Sequence, residues 1–246
     1  MRKKDLREKD DAVSPVIAVM LILAILATCM AVYTTTYVPG LKQQDEITHT
    51  GEVKLAFMRF ASDIDNVIAQ GKPAVYTEVL ELGGGDVPLS PTKSSGTIEI
   101  NTSKIGTYQT GSETKDLNGI AVTYTPSFTA WEKQGYVYQN GVVWITKEEK
   151  VTPAELKLYT IQNGTDRQNE TLQKWYPASS ADTVIIPQFT VDENKTEITG
   201  TSTAKLRLNA TLDETETEGV TVTLTTDGTP KAYSKIRWLN IEVSVE

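Results

Sequence analysis

The chain of 246 residues has very little cysteine and histidine, with one residue of each. Cys29 has no second cysteine to pair with, and a Cys/His zinc site within one chain is excluded as well. A Ser–His or Cys–His pair would have to use His49, which lies in a polar stretch and is expected to be a solvated linker residue. We therefore find no catalytic constellation and expect no enzyme activity, no metal and no cofactor.

The chain also lacks clusters of basic residues, because 24 Lys and Arg stand against 32 Asp and Glu and give a net charge of −8. Phosphate backbones are bound by such clusters, so we expect no nucleic-acid partner. Acidic pairs do occur, and they are Asp63/Asp65, Glu148/Glu149 and Glu214/Glu216. We expect them to lie on solvated faces. The oxygen-bearing residues Asp182, Asp192 and Glu193 lack the spacing of an EF-hand calcium loop.

One stretch, residues 12–41, has no Asp, Glu, Lys or Arg at all. Within it, residues 16–32 are apolar apart from Thr28. At a rise of about 1.5 Å per residue, roughly 20 helical residues cross ~30 Å of hydrocarbon. Ser14 is a suitable N-cap and Pro15 suits the first helical position. Because no polar face begins before Thr34, this helix needs lipid or other copies of itself around it.

The segment before this stretch, residues 1–11, carries five basic and four acidic residues. Lys and Arg ahead of an apolar segment favour a cytoplasmic N-terminus, which places everything after Leu41 outside the membrane. A secretory signal has a shorter apolar core and a small-residue cleavage site, which is not evident here. A plain N-terminal membrane anchor is one interpretation of this pattern.

A second interpretation comes from residues 10–19, DDAVSPVIAV, which resemble the class III signal of archaeal type IV pilins. In that family a short charged leader precedes a motif close to AVSPVIGV and a long hydrophobic helix. The resemblance implies that a prepilin peptidase cuts between Asp11 and Ala12 and that the helix is retained as the filament core. The residues that it assigns to this core helix are Val13, Pro15, Val16, Ile17, Val19, Leu21, Leu23 and Leu26.

The resemblance covers residues 10–32 and is loose beyond them. Ala18 stands where the family often has Gly. Val16 occupies the fifth mature position, where bacterial type IV pilins usually carry Glu, and this favours the archaeal branch. A rival motif, Leu26-Ala27-Thr28-Cys29, resembles a lipobox, although Thr28 stands where Gly, Ala or Ser is usual. Lipidation of Cys29 competes with the simpler interpretation of a small hydrophobic residue in a helix.

A second helix is expected after Val38-Pro39-Gly40, where proline and glycine predict a kink or a short break. It should run from about Leu41 or Gly51 to Gln70 and end at Gly71-Lys72-Pro73. Its apolar face has helical spacing, and its members are Val53, Phe57, Phe60, Ala61, Ile64, Val67 and Ile68. This amphipathic helix should pack one side on a sheet.

From Ala74 onward, alternation with period two predicts strands. The predicted strands are 74–82, 96–101, 119–124, 156–161, 183–191, 206–212, 220–224 and 239–245. Asn140-Gly141 predicts a hairpin over 135–146. Loops are expected at the glycine-rich segment 83–86, which lacks the sequence that a phosphate-binding loop requires, and at 163–174. The aromatic residues Trp131, Tyr136, Tyr138, Trp144, Trp175, Tyr176 and Trp238 are expected to pack in the core and hairpin rather than to form a sugar-binding platform.

The predicted fold is α+β, in which a long hydrophobic N-terminal helix continues into an amphipathic helix and is followed by a mostly antiparallel, sandwich- or barrel-like β domain. The expected units are a cleaved leader (1–11), a membrane or filament-core helix (12–40), the amphipathic helix (41–70) and an extracellular Thr-rich β domain, here called the head (71–246). Five Asn-x-Ser/Thr sequons lie after the apolar helix, and they are Asn101, Asn163, Asn169, Asn194 and Asn209. They are candidates for glycosylation on the outer side of the membrane.

The resemblance implies a structural subunit of an archaeal type IV pilus-like filament that serves adhesion. Its partners would be the membrane, through a single span, other copies of the chain, the prepilin peptidase and the assembly machinery. The protein would stay in the cell membrane until it enters a cell-surface filament. An archaellin-type motility subunit and a permanently anchored carbohydrate- or partner-binding domain are the alternatives, and an anchored enzyme is disfavoured for lack of a site.

Overall fold

The computed structural model describes residues 10–84, 87–88, 90, 92–154, 164–178 and 180–246. Three helical segments follow one another without interruption: α1 (Asp10–Val32), a π-helical turn (Tyr33–Tyr37) and α2 (Val38–Gln70). A third α-helix, α3 (Gly164–Trp175), lies between strands later in the chain. The strands are β1 (Ala74–Glu81), β2 (Ser95–Thr110), β3 (Glu113–Ser127), β4 (Gln134–Gln139), β5 (Val142–Lys147), β6 (Lys150–Pro153), β7 (Ser180–Val191), β8 (Glu197–Gly200), β9 (Thr203–Leu212), β10 (Thr217–Leu224) and β11 (Pro230–Val245). This is the predicted α+β arrangement of an N-terminal helix followed by a β domain.

The helix continues through Pro39, where the sequence predicts a kink or a break. In the turn before it, the Val38 N–H donates to the Tyr33 carbonyl, five residues back rather than four. Pro39 has no N–H to donate, and its ring would clash with the carbonyl of Thr35 in a regular α-helix. A wider π turn at this point accommodates the proline within a continuous helix. Of the two alternatives that the sequence leaves open, the structure shows no break.

Helix α2 buries one face along most of its length. The buried residues are Val38, Lys42, Glu46, His49, Thr50, Val53, Ala56, Phe57, Phe60, Ile64 and Val67. They recur every three or four residues, which keeps them on one side of the helix. The helix ends at Gln70, as predicted, because Gly71 adopts a left-handed conformation with φ 58° and its N–H donates to the Val67 carbonyl.

The sheet is organised around β11, the last strand. β7 pairs with β11 in parallel along Tyr233 to Val243. β9 and β10 both pair with β11 antiparallel, β9 with its second half and β10 with its first half. Because β7 occupies one edge of β11 over this whole stretch, β9 and β10 lie end to end along the opposite edge.

β10 also pairs with β2 and thereby joins two halves of one curved sheet. In the first half, β1 flanks β9. In the second half, β2 is followed by β3, β4, β5 and β6, and β8 lies on the free edge of β2. Helix α2 contacts both β1 and the β4–β5 hairpin, so it spans the gap between the two ends of the sheet.

A single hydrophobic core fills the space under α2. Phe57 lies against Tyr136 with ring centroids 6.0 Å apart, and Phe60 meets Tyr138 edge to face at 5.3 Å. These four aromatic side chains are at most 1% exposed, and they tie the helix to the β4–β5 hairpin. Core residues from both halves of the sheet belong to the same cluster. The head and the second half of α2 therefore form one packed unit.

Most predicted strands are confirmed, and the alternation in β9 and β10 is observed as buried and exposed faces. At the end of β11 the apolar positions are buried as expected, but Ser244 between them is buried as well. The hairpin turn has Asn140 at φ 46° and Gly141 at φ 87°, as an Asn-Gly turn requires. The loop predicted at 163–174 is wrong, because residues from Gly164 onward form α3. Its buried positions, Leu172 and Trp175, are too few to stand out in a polar sequence. The predicted strand 156–161 lies outside the described residues.

Candidate functional site

The apolar segment of α1 is exposed on every side in this single chain. Its large side chains with more than half of their surface exposed are Val16, Ile17, Val19, Met20, Leu21, Ile22, Leu23, Ile25, Leu26, Met30 and Val32. The helix Pro15–Gln70 is long and apolar enough in this part to cross a membrane, and none of that apolar window is buried. A helix from the core of a soluble domain would be covered by the rest of the chain. This one has only its own neighbours along the helix.

The residues assigned to the core helix by the resemblance all lie in α1. Pro15, Val16, Ile17, Val19, Leu21, Leu23 and Leu26 are exposed there. The backbone of Asp11, Ala12 and Val13 belongs to the first turns of α1, whereas their side chains and all of residues 1–9 lie outside the described part. Cys29 is also exposed on the apolar helix.

Hydroxyl groups within this helix are bonded to its own backbone. The Thr28 hydroxyl donates to the carbonyls of Ala24 (3.0 Å) or Ile25 (2.8 Å). The Thr34 and Thr35 hydroxyls do the same with carbonyls one turn earlier. In hydrocarbon an unsatisfied hydroxyl costs several kcal/mol, about 4–8 on a water-to-cyclohexane scale. This bonding makes the one polar residue of the 16–32 segment compatible with an apolar environment.

Two tyrosines mark the end of the apolar segment. Tyr33 and Tyr37 lie one π turn apart with their rings stacked, centroids 6.3 Å apart and planes at 10°. Tyr37 is 64% exposed. Tyrosine is enriched where a membrane-crossing helix leaves the hydrocarbon, because its ring is apolar and its hydroxyl is polar.

Beyond the tyrosines, a buried carboxylate joins α2 to two loops of the head. Glu46 has no exposed surface. Its Oε1 accepts hydrogen bonds from the Ser94 hydroxyl and the Thr129 N–H (3.0 Å), and its Oε2 accepts one from the Ala130 N–H (2.9 Å). Ser94 precedes β2, and Thr129 and Ala130 follow β3. One side chain therefore holds the start of β2 and the end of β3, which are neighbouring strands, against the helix.

A buried lysine lies one turn earlier on the same face. Lys42 is 4% exposed, and its Nζ donates to the carbonyl (2.6 Å) and hydroxyl (2.8 Å) of Thr92. Burial on its own raises the pKa of Glu46, but the bonds from Ser94, Thr129 and Ala130 and the charge of Lys42 outweigh it and lower that pKa below 4.5. Glu46 is therefore ionised at neutral pH.

The next residue on this face is His49, which is 3% exposed. The expectation of a solvated linker residue is wrong. The Tyr124 hydroxyl donates a hydrogen bond to the Leu82 carbonyl (3.0 Å). The His49 Nε2 lies 3.0 Å from the same hydroxyl, so its N–H donates a hydrogen bond to the Tyr124 oxygen. Burial lowers the pKa of His49 below 6.5, although nearby carboxylates, foremost Glu52, oppose the shift.

These three residues and Thr50, which are all buried, form what we call the polar junction: Lys42, Glu46, His49 and Thr50 with their bonding partners in the head. Thr50 contributes its carbonyl, which accepts a hydrogen bond from the Tyr136 hydroxyl (3.0 Å). The hydrophobic pattern of the sequence could not reveal this contact, because its residues are polar. The spacing 42, 46, 49, 53 was the available signal, since it continues the apolar face of α2 toward the N-terminus.

The four described sequons lie in different settings. Asn194 is exposed in the turn after β7, and Asn101 is exposed on β2, where its amide donates to Glu99 (2.8 Å). Asn169 on α3 and Asn209 on β9 are half-buried. Asn163 lies outside the described residues.

The aromatic residues pack as expected, rather than forming one exposed platform. Five of them are buried, and they are Tyr136, Tyr138, Trp175, Tyr176 and Trp238. Trp131 and Trp144 are half-buried. Within the described ranges, no group of three or more His, Cys, Asp or Glu side chains is arranged to hold a metal ion.

Comparison with known proteins leaves the chain without an assigned family. No protein-family model, no curated protein and no solved structure matches it. The resemblance of residues 10–19 to the archaeal class III signal therefore stays a prediction.

Proposed function

We propose that this chain is a structural subunit of an archaeal type IV pilus-like surface filament that serves adhesion. In this proposal α1 first holds the subunit in the membrane, with the head outside. A prepilin peptidase then cuts between Asp11 and Ala12, and the assembly machinery transfers α1 into a bundle of identical helices. The apolar surface of α1 needs a cover at both stages, which is lipid in the membrane and other copies of α1 in the filament.

The size of that apolar surface indicates that lipid or other helices cover α1 along its whole apolar segment. Eleven large apolar side chains between Val16 and Val32 are each more than half exposed. Full burial of such a side chain contributes about 1.5–3 kcal/mol, so covering the exposed portions contributes on the order of 10–20 kcal/mol. Lipid supplies this in the membrane, and other copies of α1 supply it in a filament. The small residues Ala18, Ala24, Ala27 and Ala31 allow helices to approach closely.

The observation that carries the proposal is the uninterrupted connection between α1 and the head. α1, the π turn and α2 form one continuous helix, and Val38 is already buried directly after the exposed Tyr37. A filament subunit requires this, because its head takes its place from the position of its core helix. A binding domain on a permanent anchor gains reach from a flexible linker instead. The continuous helix favours the filament over the tethered domain.

The experiment is to determine the N-terminal residue and intact mass of the protein recovered from the surface of its native host. A mature chain that begins at Ala12 supports peptidase processing, and mass above that of the polypeptide identifies glycosylation. A chain that begins at Met1, or at a lipidated Cys29, contradicts the proposal and favours a tethered surface domain.

A matched variant separates anchoring from assembly. Residues 12–16 are replaced by the same residues in scrambled order, which keeps the composition of the helix and removes the signal. We expect the variant to stay in the membrane without cleavage and to form no filaments in electron micrographs, with loss of surface attachment. Normal filaments from this variant would remove the main support for the proposal. Loss of swimming rather than attachment would indicate an archaellin-type subunit.

A further inference from the structure

The lower end of the head lies directly beside the end of the apolar helix. Val38 is 4% exposed, whereas its neighbour Tyr37 is 64% exposed. Head atoms therefore begin to cover the helix one residue after the stacked tyrosines. Lys42 then contacts Thr92, and Glu46 contacts Thr129 and Ala130. Among the described residues, the segments 92–94 and 129–130 therefore contact α2 close to its junction with α1, and residues 131–133 follow directly in the chain.

Helix geometry places this end of the head at the outer boundary of the lipid headgroup layer. A hydrocarbon core of about 30 Å takes about 20 helical residues, which from Pro15 end near Thr34. The polar layer adds about 5–7 Å on each side, which is another four or five residues. The outer polar layer of the membrane therefore ends near Val38, where the head begins. Lys42 lies only about 7.5 Å further along the axis than Tyr37, a distance that lysine and tryptophan side chains span.

The side chains on this end of the head fit such a layer. We call the exposed and half-exposed residues Thr92, Lys93, Thr129, Trp131 and Lys133 the basal surface. Lys133 is an exposed cation of the kind that lipid phosphates attract. Trp131 is half-buried and has the apolar ring and polar N–H that favour the membrane interface. The carboxylate of the neighbouring Glu132 is compensated by Lys147 at 3.2 Å.

We propose that the basal surface rests on phosphate-bearing lipid headgroups at the outer face of the membrane that α1 spans. This inference rests on the membrane stage of the proposed function and adds a second contact to it. A span alone leaves the head free to swing as the helix tilts. A span together with a seated basal surface fixes the orientation in which the subunit waits for assembly, because the polar junction prevents the head from moving independently of α2.

The test uses the full chain in liposomes and three single-cysteine proteins that carry an environment-sensitive fluorophore. The first keeps the natural Cys29 on α1. The second and third carry Cys29→Ser with either E132C, beside the basal surface, or E113C as the matched control. Glu132 and Glu113 are both exposed glutamates, and each is paired with one exposed lysine, Lys147 and Lys115 respectively. Glu113 is the first residue of β3, about 45 Å along that strand from Ser127.

Quenching is measured with lipids that carry a nitroxide either on the headgroup or deep in the acyl chain. We expect the acyl-chain nitroxide to quench the label at Cys29, and the headgroup nitroxide to quench the label at position 132 several-fold more than that at position 113. Equal quenching at 132 and 113, with Cys29 still quenched, overturns the seated head and leaves the membrane stage intact. An unquenched label at Cys29 overturns the membrane stage and this inference with it. A label at position 132 that the headgroup nitroxide quenches only after the protein is diluted in lipid is covered by a second copy at higher density, and this contradicts a head that is seated on lipid.

Discussion

Substitution of Glu46 by alanine should loosen the attachment between α2 and the head more than any surface change on that helix. Glu46 has no exposed surface and accepts bonds from Ser94, Thr129 and Ala130. The substitution removes the acceptor of all three donors, and it removes a negative charge that interacts electrostatically with the buried Lys42. The side-chain volume that is lost lies between the helix and two loops, so neither side can fill it with an apolar group.

The expected loss of stability follows from the state of each donor. A buried donor left without a partner costs about 1–3 kcal/mol. The Ser94 hydroxyl is 1% exposed and Ala130 is half-buried, whereas Thr129 is exposed and regains a bond to water. Two buried donors left without their acceptor together cost about 2–6 kcal/mol, and water that enters the space recovers part of this. We therefore expect a loss of about 3 kcal/mol in the free energy of unfolding.

The assay is urea unfolding of the full chain in detergent micelles, followed by tryptophan fluorescence. Glu52→Ala is the matched control, because Glu52 is an exposed glutamate on the same helix and its loss should cost no more than about 0.5 kcal/mol. Hydrogen exchange should locate the effect, with faster exchange of amides 41–50 and little change beyond Val53. A loss for Glu46→Ala that equals that of Glu52→Ala would refute the role given to the polar junction.

Two further predictions concern His49 and the hairpin turn. Burial holds the pKa of His49 below 6.5, so the unfolded chain takes up the proton first as the pH falls. The stability that comes from the neutral imidazole is present above about pH 6.5 and is lost as the pH falls from there to the folded-state pKa. Between about pH 7.5 and about pH 5.5, the His49→Gln variant should therefore lose less of its free energy of unfolding than the natural chain does. Equal losses in urea unfolding would contradict this. At the turn, Asn140 has φ 46° and its Oδ1 accepts the Ile120 N–H (3.0 Å), so Asn140→Ala loses the bond and strains the backbone whereas Asn140→Gly loses only the bond. We expect the alanine variant to be less stable than the glycine variant by about 1 kcal/mol in thermal or urea unfolding, and the reverse order would be inconsistent with the left-handed turn.

The parts of the fold that could be predicted from sequence are those where local chemistry and burial agree. Gly71 ends α2 because only glycine adopts its left-handed conformation at no cost, and Asn140-Gly141 sets a hairpin for the same reason. Leu206 and Leu208 alternate with Arg207, so one face of β9 is buried. In each case a few adjacent residues determine the local structure.

The parts that could not be predicted depend on partners far away in the chain. Glu46 and His49 look like solvent-facing residues until Thr129 and Tyr124, more than 70 positions later, are brought to them. Leu172 and Trp175 are the buried side of α3, and the polar composition of the segment does not indicate that it forms a helix. The π turn at Tyr33 likewise reflects Pro39 acting within a helix that is otherwise continuous.

The unbroken helix also determines how a mechanical load reaches the head. The buried face of α2 extends from Val38 to Val67, about 44 Å along the axis. A pull along α1 loads this whole face in shear, so its buried side chains resist together. A sideways pull on α1 peels α2 from its N-terminal end and meets Lys42 and Glu46 before any aromatic side chain of the core. The hydrogen-bonded polar contacts lie at the end of α2 where peeling starts. The attachment of the head is therefore strongest against tension along the common axis of α1 and α2.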